Sequence, residues 1–188
     1  MPPRHPLPRL WLMTDERMGE GLWDALARLP RGSGVIFRHY ATSPADRRRL
    51  FDRVRRVARA RRLVLVLAGS SAQAIAWHAD GVHGRSGQRL APRGLIRTAP
   101  VHSRMELIAA RRSGADLALL SPVFPTRSHP HARTLGPVGF ARLAATAGLP
   151  IIALGGMDAR RFRALRELGA YGWAGIDALG PGAVGVRT

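Results

Sequence analysis

The sequence contains no lysine, so all thirty of its basic residues are arginine. A mechanism that needs a Schiff-base lysine or a P-loop lysine is therefore excluded. Cysteine is also absent, which excludes disulfides, thiolate nucleophiles and cysteine-ligated zinc sites. The longest early apolar run, Leu10 to Met13, is far shorter than a signal-peptide core or a membrane span. From these absences we expect a soluble, cytoplasmic protein that is not embedded in a membrane.

Acidic and aromatic residues are scarce. Twelve acidic residues against thirty arginines give a formal net charge of +18, and the sequence pI is about 12.0. So basic a chain raises nucleic acid as a partner. Nucleic-acid binders usually add aromatic side chains that stack on bases, however, and only 6% of this chain is aromatic. Nucleic acid is therefore the less favoured partner.

The densest run of arginine lies between Arg47 and Arg62. Apolar residues recur through this run at helical spacing: Leu50, Phe51, Val54 and Val57. Ser43-Pro44 precedes the run and is typical of an N-cap followed by proline in the first turn. The pattern predicts an amphipathic helix whose basic face lies in solvent. Binding of a phosphate-rich partner by that face is the alternative.

Strand-like and helix-like patterns alternate along the whole chain. Eight runs are short and mostly apolar without alternation, as in parallel strands buried on both faces: Leu10 to Thr14, Val35 to Arg38, Leu63 to Leu67, Gly81 to His83, Leu95 to Val101, Leu117 to Ser121, Ile151 to Leu154 and Trp173 to Ile176. Helical patterns lie between them: Gly21 to Arg28, Pro44 to Arg61, Ala72 to Trp77, Met105 to Arg112, Gly139 to Ala147 and Ala159 to Leu168.

Eight strand–helix units predict a small (β/α)8 TIM barrel that forms one domain over residues 1–188, with its core at about 8–179. The chain is short for this fold, so its helices must be short. The glycine-rich tail after Leu179 is too poor in helix formers for a full eighth helix. An open doubly wound sheet is the competing architecture. In a barrel, catalytic groups lie where strands end, and phosphate is often bound by the loops after strands seven and eight.

The loop after the sixth predicted strand is rich in groups that bind anions. Thr126, Arg127, Ser128 and His129 follow one another in a proline-stiffened segment. A guanidinium can hold a pyrophosphate bidentately while hydroxyls donate neutral hydrogen bonds. An ordinary polar turn is the alternative interpretation.

Two further stretches fall at the same predicted rim. Gly155-Gly156 follows the seventh strand, and paired glycines let backbone N–H groups approach an anion where a helix begins. A tight strand-to-helix turn also needs glycine, so this signal alone is weak. Asp177-Ala178 follows the eighth strand, on the neighbouring side of the mouth.

Several motifs occur in the order of a known family: Leu12-Met13-Thr14-Asp15, Ala79-Asp80-Gly81-Val82-His83, Val101-His102-Ser103, Gly114-Ala115-Asp116, Ser121-Pro122-Val123-Phe124-Pro125-Thr126, Ile152-Ala153-Leu154-Gly155-Gly156-Met157 and Gly169-Ala170. In these motifs the chain resembles the thiamine phosphate synthase and thiazole tautomerase superfamily. The resemblance implies a (β/α)8 barrel that joins hydroxymethylpyrimidine diphosphate to thiazole phosphate, with pyrophosphate released and Mg²⁺ assisting. It implies two small phosphorylated substrates at the barrel mouth.

The resemblance also implies roles for individual residues. Arg38 matches an arginine that binds the diphosphate, Thr126 and Ser128 match a pair of hydroxyl residues, and His129 stands in place of a lysine. We therefore expect Arg38, Thr126, Ser128 and His129 to act on the diphosphate, with Arg127 as an auxiliary. Gly156 matches a glycine whose amide holds the thiazole phosphate. Gly155, Asp177 and Ala178 are expected beside that phosphate.

The sequence departs from the family at several polar positions. Ile36 stands in place of a glutamine, Tyr40 of a lysine, Ala68-Gly69 of an asparagine–aspartate pair and Pro100 of a serine. An aspartate expected between Gly84 and Leu90 is missing. Mg²⁺ is expected from the resemblance, yet its protein ligands are not identifiable. The tautomerase branch has a proposed acid–base histidine where this chain has Pro122, so the sequence is closer to the synthase branch.

Three functional hypotheses remain. The leading one is a divergent thiamine phosphate synthase, a transferase. The second is a relative that binds phosphorylated ligands but has lost the metal site and its activity, or has altered it. The third is a nucleic-acid-binding protein that uses the arginine-rich helix. For His83 and His102 we favour structural hydrogen bonds at strand ends over acid–base roles.

Overall fold

The computed structural model describes residues 7–85, 94–126 and 132–179. Its eight strands are β1 (Leu10–Met13), β2 (Gly34–Phe37), β3 (Val64–Ala68), β4 (Gly81–His83), β5 (Ile96–Val101), β6 (Leu117–Leu120), β7 (Ile151–Ala153) and β8 (Gly172–Gly175). All are parallel, and they close into one barrel in chain order because β1 pairs with both β2 and β8. Closure confirms the predicted (β/α)8 barrel and excludes the open doubly wound sheet.

The described residues form six α-helices: α1 (Gly21–Arg28), α2 (Pro44–Arg61), α3 (Ser71–Ala76), α4 (Arg104–Arg112), α5 (Gly136–Ala144) and α6 (Ala159–Arg166). Two 3-10 helices, Glu16–Met18 and Asp177–Leu179, follow β1 and β8. Residues 86–93 and 180–188 lie outside the described residues, so the prediction of a missing final helix stays a prediction. Over the described ranges, no helix has the length and apolar composition needed to cross a membrane.

Helix α2 begins and ends where its capping residues predict. The Ser43 hydroxyl accepts a hydrogen bond from the backbone N–H of Asp46 at 3.3 Å, and Pro44 opens the first turn. At the other end, Arg62 adopts the left-handed conformation with φ 56°. These caps satisfy backbone groups that the helix leaves without partners, which fixes both ends.

The arginines of α2 divide between two environments. Arg49, Arg53, Arg56 and Arg59 are exposed, which confirms the predicted basic face. Arg47 was expected to belong to that face, but the prediction is wrong: only 9% of Arg47 is exposed. Its spacing places it on the same side of the helix as Phe51, Val54 and Ala58, all of which are buried.

The apolar core has two layers separated by the wall of the barrel. The inner layer fills the barrel with side chains that alternate along the strands: Trp11, Met13, Ile36, Val66, Ala68, Leu117, Leu119, Ile152 and Ala174. The outer layer packs the barrel against the helices. Trp11 takes so much of the interior that a Cβ atom on Gly34 would lie 2.1 Å from its Cε3 atom.

Two aspartates of the family motifs lie at the amino-terminal end of the barrel, away from the rim. The Asp80 carboxylate accepts a hydrogen bond from the backbone N–H of Leu65 at 2.8 Å. Asp116 accepts one from the backbone N–H of Arg97 at 2.7 Å. Asp80 precedes β4 and Asp116 precedes β6, so both carboxylates join neighbouring strands at the amino-terminal edge of the sheet.

Candidate functional site

The carboxyl-terminal ends of the eight parallel strands form one rim, which is where barrels of this type place their chemistry. Arg38 follows β2, Thr126 lies in the loop after β6, and Gly155 and Gly156 follow β7. Asp177 and Ala178 begin the 3-10 helix after β8. The topology therefore brings these predicted residues to the same end of the barrel. Arg127, Ser128 and His129 lie outside the described residues, and their roles stay predictions.

Arg38 is held at the mouth by the end of β1. Its Nε donates to the backbone carbonyl of Thr14 at 2.9 Å, and its Nη2 donates to the Asp15 carboxylate at 2.7 Å. Its backbone N–H donates to the Thr14 hydroxyl at 3.1 Å. One fifth of the Arg38 side chain is still exposed. The guanidinium is thus oriented in advance while part of it remains accessible to a ligand.

The carboxylate that holds Arg38 is itself kept ionised. A side-chain hydrogen bond from Arg17 lowers the pKa of Asp15, partial burial opposes this, and the charge of Arg38 lowers it further. The distance from Arg17 Nε to Asp15 Oδ1 is 2.7 Å. Asp15 therefore forms ion pairs with two guanidinium groups, and Arg38 is the more buried of the two.

A buried histidine lies at the end of β4. The Nδ1 atom of His83 is 2.8 Å from the hydroxyl of Thr98 on β5. Burial, with a smaller contribution from the charge of Arg38, lowers the pKa of His83 to about 4. His83 is therefore neutral at pH 7, and it contributes a hydrogen bond rather than a charge to the rim.

The loops after β6 and β7 are joined by backbone hydrogen bonds. The N–H of Val123 donates to the carbonyl of Leu154 at 2.9 Å, and the N–H of Phe124 donates to the carbonyl of Gly155 at 3.1 Å. The segment that leads to Thr126 therefore extends along the glycine turn. This brings the segment that leads to Thr126 into direct contact with the glycine turn.

The glycine pair is required by the geometry of this contact. Gly155 and Gly156 have φ values of 93° and 60°, in the left-handed region that other residues rarely adopt. A Cβ atom on Gly156 would lie 2.4 Å from the carbonyl oxygen of Pro125. Within the described residues, the N–H groups of Gly155 and Gly156 have no hydrogen-bond acceptor. Neither of these two backbone donors is used by a described residue.

Helix α6 closes this side of the turn with its own groups. The Asp158 carboxylate caps the helix by accepting from the N–H of Arg161 at 2.7 Å. The Arg161 guanidinium donates to the carbonyl of Gly156 and stacks on the Phe124 ring at 4.7 Å. The Asp158 carboxylate therefore already occupies the N-terminus of this helix.

A comparison with protein families assigns the chain. The sequence profile of the thiamine monophosphate synthase family matches residues 11–179. The chain belongs to this family. The matched residues run from the second residue of β1 to the end of the 3-10 helix after β8 and so include all of the described barrel strands except Leu10.

Similar proteins share nearly the full length of the chain. A putative thiamine-phosphate synthase 2 from Aquifex aeolicus is 31% identical over 181 residues, which cover 91% of this chain and 97% of that protein. A thiamine-phosphate synthase from Pyrococcus furiosus is 27% identical, covering 91% and 86%. The solved structure of thiamine phosphate pyrophosphorylase from Pyrococcus furiosus superposes with a TM-score of 0.75 at 26% identity, covering 92% of this chain and 86% of that one.

Two of the departures that the resemblance implies fall at positions of apolar packing just below the rim. Ile36 and Ala68 both belong to the inner layer, with 0% and 1% of their surfaces exposed. Polar side chains at these positions would point into the mouth between β2 and β3. This part of the mouth is instead closed by hydrocarbon. Tyr40, at the third departure, is largely exposed at 67%.

His102 follows β5 and is tied to the end of β6. Its Nδ1 is 2.8 Å from the backbone carbonyl of Ser121, and since a carbonyl only accepts, Nδ1 carries the proton. The backbone N–H of His102 donates to Glu106 at 2.6 Å in the capping box that begins α4. These contacts are the structural hydrogen bonds expected for this histidine.

Sequence reasoning missed the partners that position the predicted residues. Asp15 was part of a motif without a role, and Arg161 received none. Arg47 was assigned to solvent, although its spacing from Phe51 and Val54 was a signal of burial. The Nε of Arg47 donates to the carbonyl of Arg38 at 2.9 Å, and its Nη2 donates to the carbonyl of Ala68 at 2.7 Å.

Groups that could hold a metal ion are sparse. Across residues 7–85, 94–126 and 132–179, no three histidine or carboxylate side chains lie together. Mg²⁺ prefers oxygen ligands in near-octahedral geometry, with carboxylates as its usual protein ligands. The described side chains therefore form no group of three ligands for the divalent cation that the family resemblance implies.

Proposed function

We propose that this protein is a thiamine phosphate synthase that couples hydroxymethylpyrimidine diphosphate to thiazole phosphate and releases pyrophosphate. One observation carries the proposal: the Gly155-Gly156 turn, with its two available N–H groups, is joined to the loop that leads to Thr126 on the rim where Arg38 lies. The reaction needs two anion sites at one mouth, and family membership supports the same chemistry.

The diphosphate site is assigned to the guanidinium of Arg38 and to the loop after β6. Arg38 supplies a fixed positive charge and directional donors, since Asp15 and Thr14 hold its orientation. In this proposal Thr126, Ser128 and His129 add donors from the loop, with Arg127 as an auxiliary.

The thiazole phosphate site is assigned to the turn after β7. The N–H groups of Gly155 and Gly156 would donate to phosphate oxygens, and the backbone of Asp177 and Ala178 lies on the adjoining strand end. Arg161 holds the Gly156 carbonyl from behind, which fixes the plane of the peptide that follows. Arg161 is thus a positioning residue for this site.

The reaction requires charge stabilisation rather than proton transfer. The bond between the pyrimidine methylene carbon and the diphosphate oxygen breaks, and its electron pair leaves with pyrophosphate. The thiazole nitrogen then donates its lone pair to the methylene carbon, which forms the new C–N bond and leaves the positive charge on the thiazolium ring. Donors aimed at the leaving diphosphate lower the barrier because negative charge develops there.

The proposal is tested by mixing the purified protein with both substrates and Mg²⁺ and measuring pyrophosphate release and thiamine phosphate by mass spectrometry. Each substrate alone is the control, because release from the pyrimidine diphosphate alone is hydrolysis rather than coupling. We expect both products in equal amounts. No turnover by protein with a cooperative unfolding transition would overturn the proposal.

A second candidate is a relative that binds thiazole phosphate without coupling it. The apolar closure at Ile36 and Ala68 favours it, because the diphosphate side of the mouth lacks the polar groups of the family there. Calorimetric binding of thiazole phosphate together with no product in the coupling assay would establish this function instead.

A further inference from the structure

The side chain of Arg47 is a buried cation at the rim. It extends from the first turn of α2 to the carboxyl ends of β2 and β3, where it bonds to the carbonyls of Arg38 and Ala68. Its guanidinium lies 5.6 Å from the ring centroid of Phe37 and 5.4 Å from that of Trp77. With only 9% of the residue exposed, water screens this charge poorly.

No carboxylate in the described residues forms an ion pair with Arg47. Both of its hydrogen-bond acceptors are neutral carbonyls. The carboxylate whose charge acts on Arg47 belongs to Glu16. That carboxylate accepts a hydrogen bond from the backbone N–H of Ala41 at 2.7 Å. Buried charges are normally paired, because an unpaired one is costly. The rim therefore has an excess of positive charge beside Arg38.

The stretches of chain that the structure leaves undescribed add no carboxylate that could pair with Arg47. The stretches outside the description, residues 1–6, 86–93, 127–131 and 180–188, contain no aspartate or glutamate. Among the acidic residues whose side chains are described near strand ends, Asp15 binds two arginines, while Glu106 and Asp158 cap helices. A diphosphate is an anion that can neutralise this charge.

A metal ion held by the chain at this rim would also need acidic side chains. Asp80 and Asp116 bind backbone N–H groups at the opposite end of the barrel. Ala68, where the family resemblance implies a polar residue, instead gives its carbonyl to Arg47. The end of β3 therefore holds a guanidinium where carboxylate ligands for a cation were expected.

We infer that the rim at β2 and β3 binds its diphosphate ligand through guanidinium charge, with Arg38 as the contact and buried Arg47 behind it, and without a divalent cation held by the chain. The inference rests on the proposed function only for the choice of a diphosphate as the ligand. Arg47 acts through the strand ends and is a positioning residue.

The test is calorimetric titration of the full chain with inorganic pyrophosphate, once in EDTA and once in Mg²⁺. We expect the dissociation constant in EDTA to be within threefold of that in Mg²⁺, or lower. Binding that is more than threefold weaker in EDTA, or absent in both solutions, overturns the inference. The coupling assay is scored separately. If the protein turns over its substrates but binds pyrophosphate only with Mg²⁺, the inference is wrong and the proposed function stands. If it binds pyrophosphate without Mg²⁺ but does not turn over, the proposed function is wrong and the inference stands.

Variants then test Arg47 itself. We expect Arg47→Gln to weaken pyrophosphate binding about tenfold in EDTA, by analogy with the loss of one charge-assisted interaction. Arg56→Gln is the matched control, because it removes the same charge from an exposed position of α2 and should change binding less than twofold. Arg47→Lys keeps the charge and should restore binding to within threefold. Equal effects of Arg47→Gln and Arg56→Gln would remove Arg47 from the site. If Arg47→Gln does not fold, loss of binding by folded Arg47→Lys would show that a positive charge at this position is not sufficient, which overturns the role given to the charge of Arg47.

Discussion

The guanidinium of Arg38 and the carboxylate of Asp15 form an ion pair across the ends of β1 and β2, with 2.7 Å between Nη2 and Oδ2. The pair fixes the direction of Arg38 before any ligand arrives, which lowers the entropy lost on binding. It also leaves Nη1 and the remaining N–H of Nη2 without a bond to Asp15. An anion at the mouth can therefore join the arrangement without breaking it.

Loss of the Arg38 charge should abolish most of the activity. We expect Arg38→Gln to lower kcat/KM for pyrophosphate release about 100-fold, since a positioned donor to developing charge is worth that much. Steady-state kinetics measure the effect. Arg49→Gln, on the exposed face of α2, should leave kcat/KM within twofold. Similar losses in the two variants would show that overall charge, rather than the position of Arg38, matters.

Arg161 should matter for the thiazole substrate and not for the diphosphate. Arg161→Ala removes the donor to the Gly156 carbonyl and the stacking on Phe124. We expect thiazole phosphate to bind about tenfold more weakly by calorimetry, because the peptide that follows Gly156 is freed and the glycine turn is then less firmly held. The neighbouring Arg160 is exposed, and Arg160→Ala should bind as the wild type does. Unchanged binding in both variants would contradict the assignment.

Gly34 should tolerate no side chain. A methyl group there would lie 2.1 Å from the indole of Trp11, which fills the barrel interior. We expect Gly34→Ala to lower the free energy of unfolding by about 3 kcal/mol, the upper end of the usual cost of overpacking. Denaturation in urea measures the change. Gly139→Ala is the control: Gly139 lies in helix α5 and its added Cβ would lie 3.4 Å from the Cβ of Leu135, so the change should be neutral or stabilising.

Stability should fall in mild acid because of buried histidines. In the folded protein the pKa of His83 is about 4, below its ordinary value of 6.5, and burial also lowers the pKa of His39. As pH falls below 6.5 the unfolded chain gains a proton at His83 that the folded chain gains only near pH 4. The contribution of neutral His83 to the free energy of unfolding is therefore complete above pH 6.5. It is lost between pH 6.5 and 4, and the loss is on the order of 3 kcal/mol.

Unfolding free energies at pH 7.5 and 4.5 measure this loss. The drop should be smaller in His83→Gln than in the wild type, since glutamine does not titrate. His78 is exposed, so between pH 7.5 and 4.5 the unfolding free energy of His78→Asn should drop by as much as that of the wild type. An equal drop in all three proteins would assign the acid sensitivity to other groups.

The sequence predicts the barrel well because local signals agree with the global fold. The ends of α2 follow from Ser43 and Pro44, and the left-handed Gly114, Gly148 and Gly169 end the turns before β6, β7 and β8 as their positions indicate. The start of α5 is predicted three residues late, at Gly139 instead of Gly136. A Gly-Pro pair reads as a loop, although proline is tolerated in the first helical turn.

The site is less predictable because its contacts are distant in sequence. Nothing local shows that Asp15 pairs with a residue 23 positions later, or that Arg161 reaches back to the Gly156 carbonyl. For Arg47, the run of arginines favoured a solvent-exposed position, although the helical spacing indicated burial. The buried position becomes favourable only where two strand ends present their carbonyls to it.

The two cations assigned to the diphosphate side of this mouth, Arg38 and Arg47, are guanidinium groups. A guanidinium keeps its proton at any pH that leaves a protein folded, and it is not a substrate for the acetylation that neutralises lysine amines. Acyl donors and amine-reactive labels would leave the charge around Arg38 intact. Such reagents could be used on partner enzymes in a mixed assay while this barrel retained its affinity for phosphate esters.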